Sequence, residues 1–285
     1  MSGPLTCLYV PGDRPERFGK ALASGTDAIV LDLEDAVTAA RKPEARAHIA
    51  EWVATTDPGR VQVWVRVNPG ALQEEDIQAV AHPRLTGFWL PKVGSAAEVE
   101  QVHALLARTP ASEAALSAMI ETAAGLFAAP AIARAPRVRF LQLGEVDLAA
   151  DLGIDPGTSG DALLFARSQI VAASVAAGIE PPPAAVSRNF RDLDAFRSDT
   201  RTLAGLGFVG RACIHPAQLE PVRVVFTPAP EAVREARAVL TALETTESGV
   251  ALDADGFLID EAVARQARRL VERAETPDAG ERPGR

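Results

Sequence analysis

Residues 28–35 read AIVLDLED, and this stretch decides the fold class. Its first four residues are all apolar, a pattern typical of a strand that is buried on both faces of a parallel sheet. Similar short apolar runs recur along the chain. We predict strands at residues 5–10, 28–33, 61–67, 87–90, 116–120, 138–143, 184–187 and 208–214.

Helical patterns lie between these runs. The clearest of them cover residues 15–24, 43–53, 74–80, 96–106, 162–177 and 193–206. Strands that alternate with helices in this way predict an α/β fold, a (β/α)₈ TIM barrel, whose usual length is about 250 residues. A doubly wound sheet with fewer strands is the alternative.

The last part of the chain continues beyond the predicted barrel. We predict a TIM barrel catalytic domain at 1–226 and a C-terminal helical lid or oligomerisation extension at 227–285. The extension contains two helical patterns, at 231–244 and 261–273. Because it is too long for a closing helix alone, we expect it to cover the barrel mouth or to dock on a neighbouring subunit.

Composition excludes several classes of protein. The net charge of −9 and the sequence pI near 5.1 argue against nucleic-acid binding, which usually needs a basic surface. No apolar run approaches the roughly 18 residues of a membrane span, and no basic segment of a secretory signal is present at the start. Two cysteines, Cys7 and Cys213, cannot form a disulfide framework and are predicted to be buried in neighbouring strands. We therefore expect a cytoplasmic protein that binds neither nucleic acid nor a membrane.

Charged side chains follow several predicted strands, at the ends that hold the chemistry in a barrel. The group comprises Asp32, Glu34, Asp35, Arg66, Lys92, Glu121, Glu145 and Asp147. Its carboxylates cannot all stay ionised near one another without compensation. Arg66 and Lys92 offset part of the charge, and two carboxylates with waters would suit Mg²⁺. The alternative is a salt-bridged rim without a metal. The four histidines do not have the spacing of zinc ligands.

Three residues at the ends of predicted strands, Arg66, Lys92 and His215, each have more than one interpretation. Arg66 can stabilise a developing enolate oxygen, pair with the acidic residues after the second strand, or do both. Lys92 can form a Schiff base or pair with Glu34 or Asp35, and we favour the ion pair. His215 can act as a general base or as a hydrogen-bonded structural residue.

The loop after the first strand concentrates positive charge in an otherwise acidic protein. It contains Arg14, Arg17 and Lys20, beside Pro15, which suits the first turn of a helix. We predict that an anionic part of a ligand, such as a phosphate, binds here. A solvated helix face is the alternative. The sequence has neither a Walker A pattern nor a G-x-G-x-x-G after a strand.

Seven stretches, taken in order, resemble the CitE-like proteins of the HpcH/HpaI aldolase and citrate lyase superfamily. They are LYVPGDRPERF (8–18), VLDLEDAV (30–37), RVN (66–68), LPK (90–92), IET (120–122), LGEVDL (143–148) and CIHP (213–216). The first two are specific as a pair, and the resemblance extends to about residue 265. It implies a TIM barrel that forms a homotrimer or a larger assembly of trimers, such as a hexamer.

The same resemblance implies roles for individual residues. Glu121 and Asp147 match the residues that hold Mg²⁺, and Arg66 matches the residue that contacts the acyl substrate and stabilises the enolate. In relatives that use CoA, residues matching Arg14 and Lys20 approach the CoA. We expect Arg66, Glu121, Arg14 and Lys20 to bind substrate.

A supporting role is expected for Glu34, Asp35 and Lys92 around these groups. The stretch GFLID (256–260) resembles a lid motif that a neighbouring subunit supplies, with Asp260 as the matching residue. Phe257 and Leu258 replace the basic or polar residue and the Met that are usual there.

Family members cleave or form 3-hydroxyacyl thioesters of dicarboxylic or tricarboxylic acids, on CoA or on an acyl-carrier protein. The resemblance therefore implies a Mg²⁺-dependent carbon–carbon lyase that splits malyl-CoA or citramalyl-CoA into a 2-oxo acid and acetyl-CoA. Arg66 and Asp260 are the expected catalytic residues, with Asp260 as acid/base and a metal-bound water as the second candidate.

Other functions stay open at this point. They are a citrate lyase β subunit acting on a citryl-acyl-carrier protein, a malyl-CoA thioesterase, an aldolase for free 2-oxo acids, and a catalytically silent scaffold subunit. The last is possible because fold alone does not confer function.

Overall fold

The structure is a computed structural model that describes residues 3–155, 157, 160–246, 249–253 and 256–275. These residues divide into two compact units, Gly3–Arg223 and the residues from Val224 onward. Residues 276–285 of the predicted extension lie outside the described residues. No helix of the described segments is long and apolar enough to cross a membrane.

The first unit is built on a curled parallel sheet. In the described residues it has seven strands, β1 (Thr6–Pro11), β2 (Ala28–Asp32), β3 (Gln62–Arg66), β4 (Gly87–Leu90), β5 (Ala115–Ile120), β6 (Val138–Leu143) and β7 (Arg211–Cys213). Their order in the sheet is β6-β5-β4-β3-β2-β1-β7. The first and last strands are therefore neighbours, as predicted, and Leu8 is paired with Cys213. Both cysteines are buried free thiols.

The strand that we predicted at 184–187 is not formed. Ala184 makes a single parallel bridge to Arg211 of β7, and the Glu180 N–H donates to the Arg139 carbonyl of β6 at 3.0 Å. The prolines at 181–183 have no N–H to donate to a ladder, so this segment pairs only at isolated points. The prediction of eight strands was thus wrong by one strand for the described residues, although the curled parallel sheet agrees with a TIM-barrel-like fold.

Helices connect the strands of the first unit. They are α1 (Phe18–Leu22), α2 (Lys42–Thr55), α3 (Gln73–Val80), α4 (Ala96–Leu106), α5 (Ala123–Ala133), α6 (Glu145–Leu152), α7 (Leu164–Ala177) and α8 (Leu193–Gly205), and α9 (Leu219–Phe226) follows β7. Side-chain caps fix three of the starts, because Ser95 accepts the Glu98 N–H, Thr122 the Gly125 N–H and Asp192 the Ala195 N–H. We did not predict α5, α6 or α9.

Large and small side chains alternate in the cluster at the core of the sheet. It contains Cys7, Ala28, Val30, Trp64, Trp89, Met119, Phe140 and Ala212, all buried. Gly87 makes room for this packing, since a Cβ there would lie 2.4 Å from Trp64 Cζ3. Apolar side chains thus fill this cluster, and the carboxylates discussed below lie at the carboxyl ends of the strands.

The second unit contains two helices and a short hairpin. Helix α10 (Pro230–Glu244) precedes the antiparallel strands β8 (Ala251–Leu252) and β9 (Leu258–Ile259), which lead into α11 (Glu261–Glu275). The two helices agree with the predicted helical patterns of the extension. Asp260 caps α11, because its Oδ1 accepts the N–H groups of Ala262 and Val263.

Candidate active site

The carboxyl ends of the strands surround a cavity of about 900 Å³. Its charged or titratable lining residues are Tyr9, Arg17, Lys20, Asp32, Asp35, Arg66, Glu121, Glu145, Asp147 and His215. The cavity therefore brings together Arg66, Glu121 and Asp147, which come from three separate stretches of the sequence. Arg14, Glu34 and Lys92 do not line it.

Arg66 is held in place by Asp32, the last residue of β2. Asp32 is its register partner on the adjacent strand, and the Arg66 Nε and Nη2 each donate to one Asp32 oxygen at 2.7 Å. The Arg66 side chain is only 12% exposed and also faces the Tyr9 ring, 5.1 Å from its centroid. Burial by itself lowers the pKa of Arg66, but Asp32 raises it well above its usual value. Arg66 is thus a fixed cation at the cavity wall.

Glu34 lies behind Arg66 and is almost fully buried. Its Oε2 is 2.8 Å from Arg66 Nη1, and its Oε1 is 3.5 Å from Lys92 Nζ. Burial raises the pKa of Glu34 to about 7, because the nearby Arg66 only partly offsets the loss of solvation. Asp35, in contrast, has a 63% exposed side chain and is 3.7 Å from Arg66 Nη1.

Glu121 is the buried carboxylate at the end of β5. Burial, together with the negative charges of Glu34 and Asp147, raises the pKa of Glu121 to about 7. The Lys92 N–H donates to its Oε2 at 2.8 Å. A Cβ on Gly144 would lie 2.3 Å from Glu121 Oε1, so the glycine creates the space that this carboxylate occupies.

Lys92 lies next to carboxylates from three strand ends, Glu34, Glu121 and Asp147. Its backbone has φ of 54°, a left-handed conformation that costs a residue with a side chain about 1 kcal/mol or more. That conformation directs its N–H to Glu121, while its Nζ lies 3.5 Å from Glu34 Oε1 and 3.8 Å from Asp147 Oδ1. The ion pair with Glu34 is the one that we favoured from the sequence.

Glu145 and Asp147 begin α6 and also line the cavity, but their partners differ. Glu145 accepts two hydrogen bonds from Arg167 of α7, both at 2.7 Å. Asp147 is 43% exposed and has the more distant Lys92 Nζ at 3.8 Å. Asp147 is therefore accessible to a ligand in the cavity, whereas both oxygens of Glu145 are engaged.

A buried polar network supports the segment after β2 from the side away from the cavity. The Lys42 Nζ donates to the carbonyls of Leu33 at 2.7 Å and Glu34 at 3.0 Å, and it also contacts the Asn68 amide oxygen. The Asn68 backbone N–H and side-chain amide both donate to buried Asp76. This network fixes the backbone that presents Glu34.

The basic residues of the first loop divide between two places. Arg17 and Lys20 line the cavity, both with exposed side chains. Arg14 instead lies 4.0 Å from Asp13, which also pairs with Arg41. Of the three basic residues of this loop, Arg17 and Lys20 therefore face the cavity.

His215 has a structural role in addition to its place at the cavity wall. Its Nδ1 accepts the Ala217 N–H at 3.1 Å, and its ring stacks on Phe190 with centroids 5.2 Å apart. The predicted acid/base residue Asp260 belongs to the second unit, where its side chain caps α11.

The donor set of Glu121 and Asp147 suits a hard divalent cation. The described residues contain no group of three or more His, Cys, Asp and Glu side chains placed to hold a metal ion. Two carboxylates that share one cavity are nevertheless a sufficient protein contribution for Mg²⁺, which keeps several waters. The space that Gly144 leaves for Glu121 and the burial of that carboxylate both fit such a ligand.

Residues 5–216 match the model of the HpcH/HpaI aldolase/citrate lyase family. The chain belongs to this family. Among relatives in the HpcH/HpaI family, an L-malyl-CoA/beta-methylmalyl-CoA lyase of Cereibacter sphaeroides is 36% identical over 95% of this chain and 95% of its own length. A citrate lyase subunit beta of Leuconostoc mesenteroides subsp. cremoris is 32% identical over 94% of this chain and 92% of its own length.

Solved structures of the HpcH/HpaI family extend this likeness to three dimensions. CitE from Mycobacterium tuberculosis, in complex with magnesium, acetoacetate and coenzyme A, has a TM-score of 0.79 and 34% sequence identity. The match covers 96% of this chain and 98% of that one. The resemblance deduced from the seven sequence stretches is thereby confirmed.

Two residues of this HpcH/HpaI site, Arg167 and Lys42, were missed from the sequence. An ion pair of Arg66 with the acidic group 32–35 was one of our interpretations, but nothing in the sequence distinguished Asp32 from Glu34 or Asp35 as the partner. The parallel register of β2 and β3 is the signal that pairs it with Arg66. Arg167 and Lys42 carry no such signal, because their partners are set by tertiary packing.

Proposed function

We propose that this chain is a Mg²⁺-dependent carbon–carbon lyase that acts on a 3-hydroxy dicarboxylic acyl-CoA. Malyl-CoA or citramalyl-CoA would yield a 2-oxo acid and acetyl-CoA. The observation that carries the proposal is the single cavity lined by Arg66, Glu121 and Asp147, with Arg17 and Lys20 on the same wall. The lyases among the relatives and the CoA-bound CitE support the choice of reaction and thioester.

Glu121 and Asp147 would hold the Mg²⁺ of this enzyme. When bound, the cation supplies Lewis-acid polarisation of the oxygen on the substrate carbon that becomes the 2-oxo group. Glu34 and Lys92 keep the two ligands in place, Lys92 through its N–H to Glu121 and its ammonium near Asp147. The magnesium in the CitE complexes supports this assignment.

Arg66 would stabilise the negative charge that develops on the thioester oxygen. In the cleavage direction the substrate hydroxyl loses its proton, the bond between carbons 2 and 3 of the acyl chain breaks, and its electron pair forms the thioester enolate. A proton then adds to the terminal carbon and gives the acetyl thioester. Asp32 holds both Nε and Nη2 of Arg66, so the guanidinium is oriented before the charge appears.

Asp260 is our candidate for the proton transfers. The family lid motif supports this role, in which a neighbouring subunit would supply the residue. Its cap of α11 uses Oδ1 and gives the carboxylate a fixed orientation in its own unit. If Asp260 activated water instead, the thioester would be hydrolysed and the enzyme would be a malyl-CoA thioesterase.

Arg17 and Lys20 would bind the phosphates of CoA, with Arg14 nearby in sequence. Both side chains are exposed and line the cavity, where they add positive charge to a protein with a net charge of −9. Arg17 belongs with Arg14 and Lys20 to the loop predicted to bind an anionic group, and its place on the cavity wall supports a role beside Lys20.

A citrate lyase β subunit is the second candidate function. The likeness to the Leuconostoc protein favours it, and the substrate would then be a citryl group on an acyl-carrier protein. We further propose that the sheet closes into a barrel through the isolated pairings of residues 180–184, and that the chain works as a cytoplasmic homotrimer or hexamer.

The test is a substrate panel with product analysis. The purified protein is incubated with malyl-, citramalyl- and citryl-CoA, each with Mg²⁺ or with EDTA, and free CoA and 2-oxo acids are measured. We expect glyoxylate or pyruvate to appear only with Mg²⁺. Free CoA without a 2-oxo acid would identify a thioesterase, and no product at all would favour the carrier-protein subunit or a silent scaffold.

A further inference from the structure

Glu121, Glu145 and Asp147 all line the cavity, and of these three carboxylates only Glu145 has both oxygens engaged by an arginine. The Arg167 Nε donates to Glu145 Oε1 and the Arg167 Nη2 donates to Glu145 Oε2, both at 2.7 Å. Glu121 and Asp147 have no comparable arginine contact among the described hydrogen bonds and ion pairs. The three groups therefore differ in their availability to a cation.

The position of Arg167 is built into the fold. Its side chain is 8% exposed and projects from α7, twenty-two residues after Glu145. Gly160 lies against the guanidinium with φ of 69°, and a Cβ there would be 2.7 Å from Arg167 Nη1. The absence of a side chain at Gly160 thus lets the backbone approach the guanidinium that pairs with Glu145.

We infer that Arg167 is a specificity-determining residue that keeps Glu145 out of the cation site and so favours Mg²⁺ over Ca²⁺. This inference rests on the proposed function, which places the cation at Glu121 and Asp147. Mg²⁺ keeps several waters and needs only one or two carboxylates, whereas Ca²⁺ takes six to eight oxygen ligands. A released Glu145 would supply a third carboxylate and stabilise Ca²⁺ more than Mg²⁺.

Arg167→Met tests this directly, with cation binding as the readout. Isothermal titration calorimetry on the metal-stripped, full-length protein gives the Kd for Mg²⁺ and for Ca²⁺ without substrate. We expect the ratio of the Ca²⁺ Kd to the Mg²⁺ Kd to fall about tenfold, since ligand charge count sets Ca²⁺ affinity. The double variant Arg167→Met with Glu145→Gln should return the ratio to the wild-type value.

Arg139→Met is the matched control. It breaks another partly buried arginine–glutamate pair, Arg139 with Glu180 at 2.9 Å, at the opposite ends of the strands. Its ratio should equal that of the wild type. Arg167→Lys keeps the charge but cannot donate to both Glu145 oxygens at once, so it should shift the Kd ratio by a smaller amount. This variant replaces Arg167→Met if the latter does not fold.

The outcomes separate the two claims. If the wild type binds Mg²⁺ and the ratio is unchanged in both Arg167 variants, the inference is wrong and the cation site of the proposed function stands. If the wild type binds no Mg²⁺ at all, the proposed cation site fails and the inference fails with it. A fall in the ratio that Glu145→Gln does not reverse would also overturn the inference, because Glu145 would not be the added ligand.

Discussion

The two ends of the parallel sheet differ in how far their charged side chains are compensated by neighbouring groups. At the amino ends of the strands, Asp27 accepts hydrogen bonds from the Thr6 N–H at 2.9 Å and the Thr6 hydroxyl at 2.7 Å, and Arg223 lies 3.5 Å away. At the carboxyl ends, burial and neighbouring carboxylates raise the pKa values of Glu34 and Glu121 to about 7. Compensated charge stabilises the first end, and excess negative charge at the second end leaves a place for a cation.

This difference separates stability from chemistry within one unit. Side chains at the amino ends bind other parts of the chain, so their loss should lower stability with little effect on turnover. Side chains at the carboxyl ends face a cavity, and their loss should reduce turnover. The following experiments test that division.

The largest effect is expected for the two proposed cation ligands. Glu121→Gln and Asp147→Asn should each lower Mg²⁺-dependent kcat by about 10³-fold or more, because the loss of Lewis-acid stabilisation is worth several kcal/mol. Steady-state assays of CoA and 2-oxo acid release measure this. Full activity in both variants would remove the model of the site.

Gly144→Ala probes the space beside Glu121 without changing any charge. The added Cβ would lie 2.3 Å from Glu121 Oε1, so the carboxylate must move. A displacement of about 1 Å should lower kcat about 100-fold. Gly153→Ala is the control, since no atom lies within 4 Å of a Cβ there, although its left-handed φ of 65° adds a small backbone cost. Equal activities of the two variants would contradict the inference that Gly144 creates the space that the Glu121 carboxylate needs.

The raised pKa values predict how pH affects the metal-free protein. The carboxyls of Glu34 and Glu121 have a pKa of about 7 when folded and near 4.5 when unfolded, so the folded chain binds more protons between those values. The free energy of unfolding should therefore fall as pH rises from 5.5 to 8, by about 2 kcal/mol for each group. Denaturant melts in EDTA measure this, and Glu121→Gln should reduce the slope. A higher free energy of unfolding at pH 8 than at pH 5.5 would refute the raised pKa values of Glu34 and Glu121.

Lys20→Met tests the cationic wall of the cavity. Because the side chain is exposed, its contact with a phosphate should contribute only about 1 kcal/mol and raise KM for the CoA ester about fivefold, with kcat little changed. Arg14→Met is the comparison, since Arg14 does not line the cavity. A larger KM effect for Arg14 than for Lys20 would favour the role that family resemblance alone implies.

Asp27→Ala should have the smallest effect on turnover. Loss of its hydrogen bonds with Thr6 should lower the free energy of unfolding by about 2 kcal/mol. The kcat of the folded fraction should stay within about twofold of the wild type, because the amino ends hold no chemistry. Urea melts and active-site titration separate the two quantities. A large fall in kcat would break the division between the ends.

The sequence predicts the fold well where strand and helix patterns are self-contained. The predicted bounds of β4, α4 and β6 agree with the structure, because each has a clear apolar run or a cap. Helix α5 was missed since it is apolar almost throughout, without the polar face that makes a period visible. The strand at 184–187 failed because three preceding prolines cannot donate to a ladder.

The candidate site could be predicted only as a set of residue types. Arg66 ends β3, and Glu121 and Asp147 come soon after β5 and β6, so the three meet in one cavity as the pattern suggests. The engagement of Glu145 by Arg167 depends on a helix packed beside the strand end, which no local pattern encodes. The raised pKa of Glu34 likewise depends on burial created by distant residues.

The pairing of β1 with β7 has a consequence for how the chain is made. Leu8 meets Cys213 only after more than two hundred residues have been synthesised, so β1 keeps one unpaired edge throughout most of translation. Contacts of such long sequence separation slow folding, and an unpaired edge is open to association with other chains. A nascent chain that stops before residue 211 would leave this edge of β1 unpaired. The need for chaperones should therefore last until β7 has left the ribosome.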